Sequence, residues 1–225
     1  MIQLLKSISD RYAPSRILSF NFTHVFKTLQ LIEKEGYASR NLLIDELLLG
    51  EGSIKTLIKH LKMEKIISTS NKGTNMTDKG KNLLLELNKY ICSETKVPKC
   101  SISIGKYNHA VLLRNLRFAI KHGVEQRDVA IKMGAKGATT LIYNNGNFFM
   151  AGTKINALKE EKAIEKILKD NLNPVDDDIV VIGSDDNNYL TAELASKAAA
   201  LNIIEDHRDE NHGNLAGLNK IANQN

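Results

Sequence analysis

The stretch GEGSIKTLIKHLKMEKII, residues 50–67, decides the fold of the first half of the chain. Its apolar residues recur at the i, i+3, i+4, i+7 spacing of one helix face: Ile54, Leu57, Ile58 and Leu61. The other face carries side chains that bond phosphates or base edges, with no acidic residue between them: Lys55, Thr56, Lys59, His60 and Lys62. This pattern favours a recognition helix. The alternative is an amphipathic surface helix with a solvated basic face.

The residues just before this helix are typical of a tight turn. Gly50 and Gly52 permit backbone angles that other residues avoid, and Ser53 offers a hydroxyl near the first backbone N–H groups. Upstream, residues 21–35 predict one helix and residues 40–48 a second, which Ser39 can cap. Two helices joined by so short a turn cross steeply, which is the geometry of a helix-turn-helix.

The residues after the basic helix predict a β-hairpin and a closing helix. Residues 66–69 and 74–77 have strand character, and Asn71, Lys72 and Gly73 between them are turn residues. A leucine-rich helix over residues 78–91 follows. The order helix, helix, basic helix, hairpin, helix is that of a winged helix-turn-helix.

This fold predicts a DNA surface, with the basic helix in the major groove and the hairpin on phosphates or the minor groove. The alternative is a module that docks on a protein partner such as the transcription machinery. The expected DNA contacts are Ser39, Arg40, Ser53, Lys55, Thr56, Lys59, His60, Lys62, Asn71, Lys72 and Thr74.

The charge distribution separates the two halves. Residues 1–96 contain 15 Lys and Arg against 10 Asp and Glu, whereas residues 97–225 contain 16 of each. A polyanionic partner therefore suits the first half alone. The two cysteines fit no zinc or redox spacing, and we expect a cytoplasmic protein without metal or cofactor. No nucleophile lies beside a base in a known catalytic motif, so we expect no enzyme activity.

The second half predicts an α/β layered domain of about five strands and three helices. A polar linker is expected over residues 94–99, and strands over residues 100–104, 110–113 and 179–182. Asn145-Gly146 predicts a two-residue hairpin turn. The predicted helices are residues 123–133, 156–171 and 189–203. The whole is an α+β protein of two domains, residues 1–95 and 96–205, with a disordered polar tail over residues 206–225.

A ligand pocket is expected where the strand at residues 179–182 turns into the last helix. Ligands of α/β sheets bind at such ends. Ser184, Asp185 and Asp186 would contact a neutral or cationic ligand there, with Arg127 as a further polar contact. The alternative is that Ser184 or Asp185 caps the helix.

The chain resembles a family of archaeal transcriptional regulators with an N-terminal winged helix and a C-terminal domain of unknown function. The resemblance spans roughly residues 10–205. Its stretches are residues 12–18, 49–62, 76–85, 124–142 and 177–186. It implies DNA-binding regulation, with a second domain that senses a small molecule or assembles the protein. A homodimer is expected, through the helix at residues 78–91 or the second domain. An enzyme with an autoregulatory winged helix is the remaining alternative.

Overall fold

The computed structural model describes residues 1–10 and 18–222, and side chains as far as residue 207. Most of the quoted stretch at residues 12–18 lies outside this description. The chain forms two compact units, Met1–Lys89 and Tyr90–Asn225. The predicted boundary at residue 95 is wrong, because most of the predicted linker belongs to a strand of the second unit. Among the described helices, none has the length and apolarity needed to cross a membrane.

The first unit consists of helices and one hairpin. Its elements are α1 (Ile2–Asp10), α2 (Phe22–Glu35), α3 (Arg40–Leu47), α4 (Glu51–Met63), β1 (Ile67–Ser70), β2 (Gly73–Met76) and α5 (Asp78–Asn88). From α2 onward this is the element order that the sequence predicts.

Side-chain caps fix where the helices of the first unit begin. Ser39 Oγ accepts the backbone N–H of Leu42 at the start of α3, and Thr77 Oγ1 accepts that of Gly80 at the start of α5. Each cap satisfies a backbone donor that the helix itself leaves without a partner. Helix α4 begins one residue after Gly50, so Ser53 lies inside its first turn rather than before it.

The apolar faces of these helices form the core of the first unit. Val25 and Leu29 of α2, Leu43 of α3, and Leu57 and Leu61 of α4 are fully buried. Burial of each such side chain contributes about 1.5–3 kcal/mol. Three leucines of α5 are buried as well: Leu83, Leu84 and Leu87.

The second unit is built on a five-stranded antiparallel sheet in the order β3-β4-β7-β5-β6. Its strands are β3 (Ile91–Val97), β4 (Tyr107–Leu113), β5 (Gly137–Asn144), β6 (Asn147–Met150) and β7 (Ile179–Asp185). Its helices are α6 (Val124–Lys132), α7 (Lys162–Leu172) and α8 (Tyr189–Ala222), with a 3-10 turn at Arg117–Ala119.

Helices cover both faces of this sheet. On one face, Ile164, Leu168 and Leu172 of α7 pack against a cluster that includes Leu112 and Val180. Helices α6 and α8 pack on the other face, against β4, β5 and β7. The central strand β7 is therefore buried at every position. The protein is α+β, and the parallel strand pairing of an α/β domain is absent from the sheet as described.

Four boundaries of the second unit differ from the sequence prediction. Residues 100–104 form no strand, and β7 continues through Gly183 and Asp185, where a turn was predicted. Helix α7 begins at Lys162 rather than at residue 156, because Asn156 instead forms a β-bridge with Phe149 of β6. Helix α8 continues to Ala222 through the predicted disordered tail. No proline interrupts it, and each added residue gains one backbone hydrogen bond.

Candidate functional site

The exposed face of α4 is basic, as the sequence predicts. Lys55, Lys59 and Lys62 lie on it and are exposed. Ile54, Leu57, Ile58 and Leu61 occupy the buried side of the helix. The hydrophobic periodicity thus leaves three ammonium groups along one side of α4, and these can contact phosphates or base edges.

The prediction that His60 belongs to this face is wrong. His60 is 1% exposed, its Nδ1 lies 2.8 Å from the backbone oxygen of Ile8, and its ring meets Phe20 edge-on at 5.7 Å. Helix α1 packs against α4 and covers this position. His60 is a hydrogen-bonded core histidine and does not reach a DNA ligand.

Two other side chains of α4 are held by the helix itself. Lys55 forms an ion pair with Glu51 one turn earlier, at 2.8 Å. The hydrogen bond and charge of Lys55 lower the pKa of Glu51. Thr56 Oγ1 donates to the backbone oxygen of Gly52 at 2.9 Å. An acidic group therefore lies beside the first lysine of the basic face.

Thr74 connects the hairpin to the segment before α3. The backbone N–H and C=O of Thr74 both bond to Ala38, each at 2.9 Å, and its side chain is only 3% exposed. Gly73 approaches the same residue so closely that an added Cβ would lie 2.8 Å from the oxygen of Ala38. The prediction that Thr74 contacts DNA is therefore wrong, whereas Asn71 and Lys72 at the tip are exposed.

A groove of about 380 Å³ lies between the start of α3, helix α4 and the hairpin. Its lining residues are Ala38, Ser39, Arg40, Ile58, Lys62, Thr69, Ser70, Asn71, Lys72, Gly73 and Thr74. Three of these are basic and none is acidic. Lys62 Nζ donates to Thr69 Oγ1 at 3.1 Å, so this lysine connects α4 to the hairpin. The groove suits a polyanion with a regular backbone.

The predicted ligand pocket of the second unit is closed. Ser184 is fully buried and bonds to Asn108 Oδ1 at 2.7 Å. Asp185 Oδ2 accepts the backbone N–H groups of Asn187 and Asn188, both at 2.9 Å. An added Cβ at Gly105 would lie 2.7 Å from the backbone of Asp185, so that segment rests directly on it. Asp185 thus holds the turn before α8, whereas Asn188 caps the helix, since Asn188 Oδ1 accepts the backbone N–H of Leu190 at 2.8 Å. The capping alternative is therefore wrong for both Ser184 and Asp185.

The two remaining residues of that prediction lie on the surface. Asp186 forms an ion pair with Lys136 and accepts the backbone N–H of Lys106 at 3.1 Å. The bond to Lys136 lowers the pKa of Asp186. Arg127 pairs with its neighbour Asp128 at 3.1 Å. Arg127 therefore faces solvent, whereas Ser184 and Asp185 are buried.

A polar cluster between the sheet and α8 was missed by the sequence analysis. Lys197 is 1% exposed, and its Nζ lies 3.1 Å from Glu94 and 2.7 Å from Glu193. His109 Nδ1 lies 2.7 Å from Ser196 Oγ, which in turn donates to the backbone oxygen of Glu193. The i, i+3, i+4 spacing places Glu193, Ser196 and Lys197 on one helix face and could have indicated a polar cluster there. Glu94 could not be included, because it was assigned to the linker.

This cluster has the donor set of a metal site. Ligand atoms of Glu94, His109 and Glu193 lie within 4.8 Å of one another. However, the ammonium group of Lys197 bonds to both carboxylates. Lys197 already supplies a cation to both, and the cluster is therefore an ion network, exposed at Glu94, that holds α8 on β3 and β4.

Comparisons with known proteins agree with this fold and bring no activity. Residues 104–203 match the model of DUF4443, a domain of unknown function. The chain is similar to a solved structure described as hypothetical protein PH0730 from Pyrococcus horikoshii OT3. The TM-score is 0.68 at 22% identity, over 84% of this chain and 95% of that chain. No curated protein matches. An archaeal protein thus shares the fold, and the second unit contains a domain of unknown function.

Proposed function

We propose that the protein is a DNA-binding transcription regulator and that its first unit acts as a winged helix-turn-helix. The observation that carries the proposal is the groove between α3, α4 and the hairpin. Arg40, Lys62 and Lys72 converge on it, and its lining contains no acidic residue. Each comes from a different element, so the positive charge extends beyond one helix face, as binding to a duplex backbone requires.

In this proposal α4 enters the major groove. Lys55 and Lys59 lie along its exposed side, where they can reach base edges or phosphates. Lys72 and Asn71 at the hairpin tip contact the neighbouring backbone. His60 and Thr74 take no part because both are buried.

The division of charge between the units supports the same proposal. Unit Met1–Lys89 contains 14 Lys and Arg against 9 Asp and Glu, and the rest of the chain contains 17 of each. A polyanion is attracted to a net positive unit, and this attraction weakens with salt. The neutral second unit is better suited to assembly than to DNA contact. Its predicted sensing pocket is closed, so we do not propose a small-molecule effector for that place.

Fluorescence anisotropy with labelled duplexes at several salt concentrations tests the proposal. We expect wild-type affinity to fall steeply with salt, and a Lys55→Gln, Lys59→Gln, Lys62→Gln variant to bind at least tenfold more weakly. The matched control is Lys34→Gln, Lys81→Gln, Lys89→Gln, which removes the same charge from exposed positions on α2 and α5 and in the residue after α5.

The control variant should keep most of the wild-type affinity. Equal losses in the two variants would show that only net charge matters and would contradict a specific surface on α4. Absence of duplex binding by the wild-type protein at low salt would favour the other use of this fold, a module that docks on a protein partner.

A further inference from the structure

Helix α6 exposes an apolar stripe to solvent. Val124 and Ile131 are 45% and 49% exposed, and they lie seven residues apart on one face. Gln126 and Ala130 occupy the buried side against the sheet and α8. Two large apolar side chains of α6 therefore face solvent although the buried side of the helix lies elsewhere.

Ile104 widens this stripe. It is 47% exposed, and its Cδ1 would lie 2.7 Å from a Cβ added to Gly137. Side-chain atoms of Arg127 and Ile131 approach the same point, at 3.2 and 3.9 Å. Ile104 and Ile131 therefore flank one small area at the start of β5. Ile104 and Ile131 thus lie together, and exposed apolar groups that lie together mark interaction surfaces.

The charges on this face have a symmetry that identifies the partner. Arg127 and Asp128 lie at the middle of the stripe from Val124 to Ile131. A two-fold axis between them would place Val124 opposite Ile131 of a second copy, and Arg127 opposite Asp128 of that copy. We propose that α6 pairs antiparallel with α6 of a second copy of this chain.

A second copy fits this face better than other occupants do. An isologous interface must be complementary to itself, and one cation beside one anion at the axis satisfies that condition. The 3.1 Å ion pair between Arg127 and Asp128 within the chain becomes two pairs between chains. The face has no net charge from these residues, so it does not favour a strongly acidic or basic partner.

The expected dimer is weak. Seven residues of helix span about 10 Å, so the paired surface is small compared with standard interfaces of about 800 Å² per partner. We expect a dissociation constant on the order of 1 to 100 µM. This pairing does not depend on the proposed DNA binding, and it is measured without DNA.

Sedimentation equilibrium of the full chain at several concentrations tests the pairing. The wild-type protein should pass from monomer to dimer, and Val124→Asp should shift the midpoint at least tenfold upward. Aspartate in the first turn suits a helix, so this variant should fold normally. Val175→Asp is the matched control, since Val175 is 52% exposed elsewhere in the same unit, and it should dimerise like the wild type.

Charge reversal provides the sharper test. Arg127→Glu or Asp128→Arg alone should place like charges opposite each other and weaken the dimer, whereas the double variant should restore it. A wild-type protein that stays monomeric throughout would overturn the proposal. So would a double variant no tighter than the single ones, or a Val124→Asp protein that dimerises normally.

Discussion

His24 Nδ1 lies 3.2 Å from the backbone nitrogen of Asn21, while the Asn21 side chain accepts the backbone N–H of Thr23. The side chains of Asn21 and His24 thus each bond to a backbone N–H at the start of α2, and together they form a capping box. Burial, with help from the charge of Lys27, lowers the pKa of His24 to about 4. The imidazole is therefore neutral in the folded protein at neutral pH.

This cap predicts a loss of stability in mild acid. The unfolded chain takes up the proton below about pH 6.5, whereas the folded chain resists it until about pH 4, so stability falls as the pH drops through this window. At pH 5 the loss from this residue should be about 2 kcal/mol. Urea unfolding of the wild type and of His24→Gln at pH 7.5 and pH 5 measures it. Glutamine can cap without titrating, so an equal acid loss in both proteins would assign the effect elsewhere.

Neighbouring residues of α4 should separate stability from DNA binding. His60→Leu leaves the backbone oxygen of Ile8 without its partner and should cost about 1–3 kcal/mol, while the folded variant keeps its DNA affinity. Lys59→Ala should do the opposite and weaken binding by about 1–3 kcal/mol if it touches a base edge. Thermal unfolding and anisotropy on the same samples distinguish the two. Reduced DNA affinity in a folded His60→Leu protein would indicate that His60 contributes to the DNA-binding surface after all.

The hairpin tip should contribute charge without sequence preference. Lys72→Ala should weaken binding equally for two unrelated duplexes and reduce the slope of log affinity against log salt by about 0.9. Lys89→Ala, which removes an exposed lysine outside the groove, should leave the slope unchanged. A change in the ranking of the two duplexes would instead place Lys72 on base edges.

The buried lysine of α8 should matter more than exposed lysines do. Lys197→Met leaves Glu94 and Glu193 facing each other without a cation, and it should cost about 3–5 kcal/mol in the free energy of unfolding. Lys136→Met breaks the exposed pair with Asp186 and should have no measurable effect. Chemical unfolding of both variants provides the comparison. Similar small losses would show that the network contributes little.

The closed pocket predicts a difference between two adjacent acids. Asp185→Ala removes a buried carboxylate that accepts two backbone N–H groups in the turn before α8 and should cost about 1–3 kcal/mol. Asp186→Ala should leave stability unchanged because Asp186 is exposed. If Asp185→Ala proved neutral while a metabolite screen found a ligand at this place, the sensing pocket would have to be reconsidered.

The sequence was most informative where one side of an element faces water. The apolar spacing of Ile54, Leu57 and Leu61 predicted α4, and Asn145-Gly146 predicted the β5–β6 turn, where both residues have positive φ. These signals are local. The same spacing could not predict His60, since its burial depends on α1, which contacts it from fifty-two residues away.

The failures lie where polar residues are satisfied by distant partners. Glu94 and Lys96 made residues 94–99 look like a linker, yet Glu94 bonds to Lys197 of α8, 103 residues later. Ser184 and Asp185 ended the apolar run of β7, but the pairing of this strand with β4 continues through both. Neither partner can be deduced from a single sequence, so Glu94 was assigned to a linker, and Ser184 and Asp185 to a turn that contacts a ligand.

The place of β7 in the sheet also constrains how the chain is made. It is the last strand to be synthesised, yet it lies between β4 and β5, which have no pairing with each other without it. Until residue 185 has left the ribosome, β4 and β5 each present an open edge, and open edges invite pairing with other chains. The first unit has its own core and can fold meanwhile. We therefore expect a chain truncated before β7 to retain a folded first unit and to aggregate through its second.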